Sequence, residues 1–207
     1  VLHSQNQQEH GPPYQDPRKG PSLALLLVDV INDLEFDEGD QLLQFARPAA
    51  PKLRALAERF RGLGLPVIYA NDNFGKWQSD FNAQVQHCLE EGVRGKPIVE
   101  QLVPHDEDYF VLKPKHSAFY GTTLEILLRS LTVETLVITG FATDICVLFT
   151  ANDAYMRDYK VVIPGDCVAA NSAQRTDSAL QLMQQVLKAD IHPSTEVRLP
   201  GTTAPPH

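Results

Sequence analysis

The chain is 207 residues long and 43% hydrophobic, enough to bury one sizeable core and too apolar for disorder throughout. Its 26 acidic residues outweigh 18 basic ones, giving a formal charge of -8. No Lys/Arg stripe offsets that balance, which argues against a nucleic-acid partner, and the longest apolar run, Leu23–Val28, is too short to cross a bilayer.

Three cysteines, Cys88, Cys146 and Cys167, are odd in number and widely spaced. That is a poor disulfide framework and points to a reducing cytoplasm. The first residues show no charged-then-apolar signal pattern.

Residues 1–21 are rich in Gln, His, Pro and Gly without hydrophobic period, and read as an extended arm, mobile or laid across a neighbouring subunit. Residues 22–199 read as one domain, and 200–207 as a disordered tail. Leu23–Val28 is a continuous apolar run ending at Asp29, the pattern of a strand buried on both faces. Pro48–Leu63 repeats Leu53, Leu56, Ala57, Phe60 and Leu63 at helical spacing and stops at Gly62 and Gly64.

Pro66–Ala70 predicts a second strand and, after a long irregular region, Tyr109–Leu112 a third. Gly121–Leu131 places Leu124, Leu127, Leu128 and Leu131 on one helical face. Thr135–Thr139 is a fourth strand, followed by a helix from about Asp144 to Asp158 whose Val147, Ala151, Ala154 and Tyr155 suit close packing on a sheet. Val161–Ile163, a helix over Arg175–Lys188 and a short strand near Ile191 complete the order. Strand–helix alternation of this kind predicts an α/β fold, a doubly wound, mostly parallel sheet with helices on both faces.

Such sheets bind ligands beyond the carboxyl ends of their strands, near the switch in strand order. Three reactive side chains fall there: Asp29 after the first strand, Lys113 after the third, and Cys146 opening the helix after the fourth. Singly, each has an ordinary role, as a cap, a solvated lysine and a core thiol. Together they describe a nucleophile with its support. A helix N-terminus and a nearby ammonium favour the thiolate, and Asp29 is placed to accept the thiol proton and deliver it to a leaving amine. The tight Gly140–Thr143 loop is suited to aim backbone N–H groups at a developing oxyanion.

The run Gly140-Phe141-Ala142-Thr143-Asp144-Ile145-Cys146-Val147, continuing Thr150-Ala151-Asn152-Asp153-Ala154, resembles the nucleophile motif of isochorismatase-like cysteine hydrolases. Asp29-Val30-Ile31-Asn32-Asp33 resembles their first-strand motif, and Lys113-Pro114-Lys115-His116-Ser117-Ala118-Phe119 their lysine motif, which assigns the role to Lys113 rather than Lys115. The resemblance, from about Leu23 to Ile191, implies a six-stranded Rossmann-like sheet, homo-oligomers, and an Asp29–Lys113–Cys146 triad. It also implies a cis peptide at Phe141–Ala142 and an oxyanion hole from the Ala142 and Cys146 amides. Asp29 would also activate the water that releases the acid.

Departures matter as well. Family members often have Gln where this chain has Ile31, and the metal-binding Asp-x-His of nicotinamidases is here Asp72-Asn73-Phe74. Neither a catalytic metal nor any other cofactor is expected. Cys167 and Cys88 read as structural. Asn32, Asp72, Asn73, Trp77, Phe119 and Thr143 are the candidate substrate contacts, with Tyr120 beside them. The expected activity is hydrolysis of a C–N bond in a small amide or carbamoyl compound through a thioester. The competing readings are acid-catalysed ether cleavage by Asp29 alone and a binding protein that retains the fold.

Overall fold

A computed structural model describes residues 22–73 and 80–200. Strand β1 (Ser22–Val28) occupies the centre of a parallel sheet. Around it lie β2 (Val67–Asp72), β3 (Tyr109–Lys113), β4 (Val133–Phe141) and β5 (Lys160–Val162), in the order β3-β2-β1-β4-β5. A sixth strand, β6 (Val168–Ala169), pairs with the end of β4 beyond β5.

The apolar run of β1 serves two cores because successive side chains point to opposite faces. Leu23, Leu25 and Leu27 pack into one core, and Ala24, Leu26 and Val28 into the other. The first core is covered by α1 (Gly39–Ala46), α2 (Ala50–Gly62), α3 (Phe81–Cys88) and α4 (Lys96–Val99). The second is covered by α5 (Leu124–Ser130), α6 (Leu148–Tyr155) and α7 (Ala173–Leu187). Leu53, Leu56, Ala57 and Phe60 form the buried face of α2, as their spacing predicts.

Three expectations are corrected. The short strand near Ile191 is only an isolated bridge between Val162 and Asp190, and β6 is the sixth strand instead. The helix expected from Asp144 begins as a π-helical turn over Thr143–Val147 before α6. Every peptide among the described residues is trans, so Phe141–Ala142 is not a cis bond. The sharp turn there is made by positive φ at Gly140 (119°) and Ala142 (55°), the latter at a cost of about 1–2 kcal/mol for a residue with a Cβ.

The register levels the strand ends that matter. Val28 pairs with Ala70 on one side and Gly140 on the other, and Asp72 pairs with Lys113. The strand order reverses between β1 and β4, so the crevice at their carboxyl ends is where such a fold accepts a ligand. Among the described residues no helix is long and apolar enough to cross a membrane.

Candidate active site

Three loops leave the level strand ends and meet there. Asp29 follows β1 directly with φ of 53°, a left-handed conformation that Asp tolerates better than most residues. One carboxylate oxygen, Oδ1, accepts the Asp72 backbone N–H at 2.8 Å, and the other, Oδ2, accepts Lys113 Nζ at 2.9 Å. Lys113 closes β3 with its side chain wholly buried, and Asp29 is only 7% exposed.

Lys113 is the hub of the site. Its ammonium also reaches Cys146 Sγ at 3.6 Å and the Lys115 carbonyl at 3.3 Å, with Asp72 Oδ2 at 3.8 Å. Burial works against that charge, but Asp29, the sulfur and Asp72 outweigh it and hold the lysine pKa above its ordinary value. An ammonium is tolerated in a dry interior only with such company.

Cys146 lies in the π-helical turn, 9% exposed. The wide turn is closed by Ile145 and Val147 N–H groups donating to the Ala142 carbonyl at 2.9 and 3.3 Å. π-Helical turns recur at functional sites because they re-aim side chains out of the regular helical track. The expectation that helix end and ammonium hold the thiol ionised is not met. Burial, then the Asp29 charge, push the Cys146 pKa well up, and Lys113 only partly counters them. These directions favour the neutral thiol over the thiolate, beside the Lys113 ammonium that Asp29 holds. Moving the thiol proton to Asp29 leaves the net charge of this buried group unchanged, which keeps the desolvation cost of forming the thiolate low.

The lysine-motif loop is tied to α6, the helix that follows Cys146. The Ala118 N–H donates to Thr150 Oγ1 at 3.0 Å, and the Ser117 hydroxyl donates to Asp153, which Arg157 also holds at 2.6 Å. The shared Thr-Ala-Asn-Asp and Ser-Ala-Phe sequences thus clasp one another and fix Lys113 against Cys146.

The remaining candidates separate. Asp72 and Asn73 stay beside Lys113, the latter through its N–H to the Lys113 carbonyl at 3.1 Å. Asn32 turns Oδ1 onto the Leu34 N–H at 2.8 Å, a local turn role. Phe119 is buried in the second core against Tyr159 and beneath the Arg157 guanidinium, so packing rather than substrate holds it there. Thr143 is fully buried and its hydroxyl meets no partner, while Tyr120 is exposed. Trp77 lies outside the described residues. Cys88 and Cys167 are buried, free and far up-shifted to about 12, first by burial and then by neighbouring acids, as suits structural thiols.

Sequence reasoning passed over His116. Its exposed imidazole approaches Cys146 Sγ with Nδ1 at 3.8 Å and leans on the Phe149 ring, centroids 5.6 Å apart. Its place inside the lysine motif, three residues past Lys113, was the available signal. Among the described residues no group of three or more His, Cys, Asp or Glu is arranged to hold a metal.

Residues 23–191 match the family described as the Isochorismatase domain. The isochorismatase family protein YaaI of Bacillus subtilis (strain 168) is 49% identical over 168 residues, covering 81% of this chain and 92% of that protein. The ureidoacrylate amidohydrolase RutB of Methylorubrum extorquens is 38% identical over 81 residues, 39% of this chain and 33% of that protein. The crystal structure of N-carbamoylsarcosine amidase from Thermoplasma acidophilum superposes with a TM-score of 0.64 at 28% identity, covering 87% of this chain and 99% of that one. The family thus includes amidohydrolases, and this chain, matched along its whole α/β domain, belongs to the isochorismatase-like hydrolase family.

Proposed function

We propose that the protein is a cysteine amidohydrolase acting on a small amide or carbamoyl compound, with Cys146 as nucleophile, Asp29 as proton shuttle and Lys113 as the charge that binds them. The observation that carries this reading is the buried Lys113 ammonium bridging Asp29 Oδ2 at 2.9 Å and Cys146 Sγ at 3.6 Å at the sheet's switch point. A binding site alone has no need of a thiol held between a carboxylate and an ammonium. The ureido and carbamoyl groups in the names of the amidohydrolase and amidase above support that substrate class.

The chemistry begins with a neutral thiol. As sulfur attacks the carbonyl carbon, its proton passes to Asp29 and the carbonyl electron pair moves to oxygen. Lys113 remains charged and steadies the anionic pair throughout. The oxyanion is assigned to the amides of Ala142 and Cys146, at the left-handed turn and in the π-helical turn. Asp29 then gives its proton to the departing nitrogen as the C–N bond breaks, leaving a thioester. Water hydrolyses the thioester, the acid departs and sulfur regains a proton.

Asp72 and Asn73, beside Lys113, are the described residues we assign to substrate contact. Three free cysteines, all buried, agree with a reducing compartment, and we place the enzyme in the cytoplasm as a homo-oligomer, an assembly state that sedimentation analysis measures. The decisive test is a panel of small amides, ureas and carbamoyl compounds. Cys146→Ala abolishes hydrolysis, and intact-protein mass spectrometry of the parent under substrate load shows an acyl adduct on Cys146. Turnover that survives alkylation of Cys146 would instead favour ether cleavage driven by Asp29.

A further inference from the structure

Asp29 is held by more than the bonds of its own carboxylate. Past it the chain runs through Val30, Ile31 and Leu34, all almost wholly buried yet in no helix or strand. Buried backbone outside regular structure must find its hydrogen bonds elsewhere, often in side chains. The Ile31 carbonyl finds two: it accepts Asn71 Nδ2 at 2.7 Å and Gln84 Nε2 at 3.1 Å. Asn71 stands in β2 and is fully buried, and Gln84 lies on the buried face of α3. Gln84 Nε2 also donates to the Asp72 carbonyl at 3.4 Å.

Both carbonyls belong to segments that hold the proton shuttle. Ile31 is two residues beyond Asp29, and Asp72 is the residue whose N–H donates to Asp29 Oδ1 at 2.8 Å. One amide on α3 therefore ties the chain leaving β1 to the chain leaving β2 where they grip the carboxylate. Asp29 itself turns through the left-handed region at φ of 53°, a conformation that persists where its surroundings determine it. The arrangement has a cost. Asn71 Oδ1 and Gln84 Oε1 are buried with no hydrogen-bond partner among the described residues. An apolar side chain of like volume would avoid that penalty, so folding alone gives little reason for an amide on α3. Placement of the acid does.

We propose that Gln84 is a positioning residue, acting with Asn71 through the Ile31 and Asp72 backbone to hold Asp29 against Lys113 and Cys146. The role rests on the reading of Asp29 as proton shuttle given above.

The full chain tests it through a thiol that reports where Asp29 is. Cys146 Sγ faces Lys113 at 3.6 Å and His116 at 3.8 Å, and its proton is retained first by burial and then by the Asp29 charge. Gln84→Met keeps length and volume but removes the amide with its orphaned oxygen, so its urea midpoint should stand at or above the parental one. The pH profile of Cys146 alkylation by iodoacetamide, followed by mass spectrometry, should move to lower pH, by part of the shift that Asp29→Asn gives. In the Asp29→Asn/Gln84→Met double variant the methionine should add nothing, because the charge it displaces is gone. Any amide that the parent turns over should lose about tenfold in kcat with KM little changed. Gln84→Leu, a second apolar variant, should repeat the pattern. A parental alkylation profile in both variants overturns the role. So does a shift of equal size with and without the Asp29 charge, which a merely loosened fold would give. Hydrolysis retained by Cys146→Ala would overturn the nucleophile instead, and the alkylation profiles would still decide Gln84.

Discussion

Gly140 lies opposite Val28 so closely that a Cβ on it would stand 2.0 Å from the Val28 carbonyl oxygen and 2.7 Å from its nitrogen. The two residues are register partners of β4 and β1, each one step from the chain that enters the site. Asp29 follows Val28, and the turn that positions Cys146 begins just past Gly140. The close approach of two backbones is what brings an acid and a thiol, far apart in sequence, to one crevice.

Gly140→Ala must therefore separate the strands and also force an L-residue to φ near 119°. The expected loss of stability is about 2–5 kcal/mol, combining backbone strain with overpacking. Urea unfolding measures it as a lower midpoint with unchanged slope. Hydrolysis by the fraction that remains folded should fall as well, because small displacements of a nucleophile are costly. An alanine variant as stable and active as the parent would mean that the two strand ends do not need to touch.

The state of the thiol gives a second prediction, with two readouts moving in opposite directions. Burial and the Asp29 charge hold Cys146 protonated in the resting enzyme. Iodoacetamide should therefore react slowly at neutral pH, and faster as the solution is made alkaline. Asp29→Asn removes the negative charge but leaves Lys113 within 3.6 Å of the sulfur, so the thiol pKa falls and alkylation at neutral pH quickens. Hydrolysis is lost in the same variant for want of a proton acceptor. If alkylation slows along with hydrolysis, Asp29 is not what keeps the thiol neutral.

That result also marks where sequence reading ends. β1 was legible because six successive apolar residues can be buried only by covering both faces, and α2 because its apolar spacing closes on one stripe. Motifs at three strand ends located Asp29, Lys113 and Cys146 because parallel-sheet topology leaves them one edge to share. α1, α3 and β6 were not legible: they are short, and tertiary packing rather than propensity sustains such elements. Phe119 looked like a pocket residue from its motif, yet it is buried in the second core against Tyr159 and Arg157. The direction of the thiol shift was also beyond reach, since it depends on burial and on the distance to one carboxylate. His116 stands inside the lysine motif, but a motif position does not tell which way a loop turns a ring.

The Lys113–Asp29 pair supports a third prediction, about stability and its dependence on pH. Lys113→Met removes the ammonium and leaves Asp29 as a nearly buried carboxylate that keeps the Asp72 N–H but loses its opposite charge. Breaking such a pair costs about 3–5 kcal/mol, whereas removing both charges costs much less. The Asp29→Asn/Lys113→Met double variant should accordingly regain part of the stability that the single variant loses, a non-additivity that reports direct coupling. The folded-state pKa of Lys113 is raised, so its contribution is fully present below the unfolded value of about 10.4 and is lost as pH rises through the higher folded value. In the parent this group keeps the urea midpoint flat across neutral pH and draws it down in the alkaline range. In Lys113→Met the neutral-pH midpoint is low from the start and that particular alkaline fall is absent. A neutral-pH midpoint unchanged by the methionine would show that the ammonium does not hold Asp29 in place, and the charge balance that spares the thiol its desolvation cost would have to come from elsewhere.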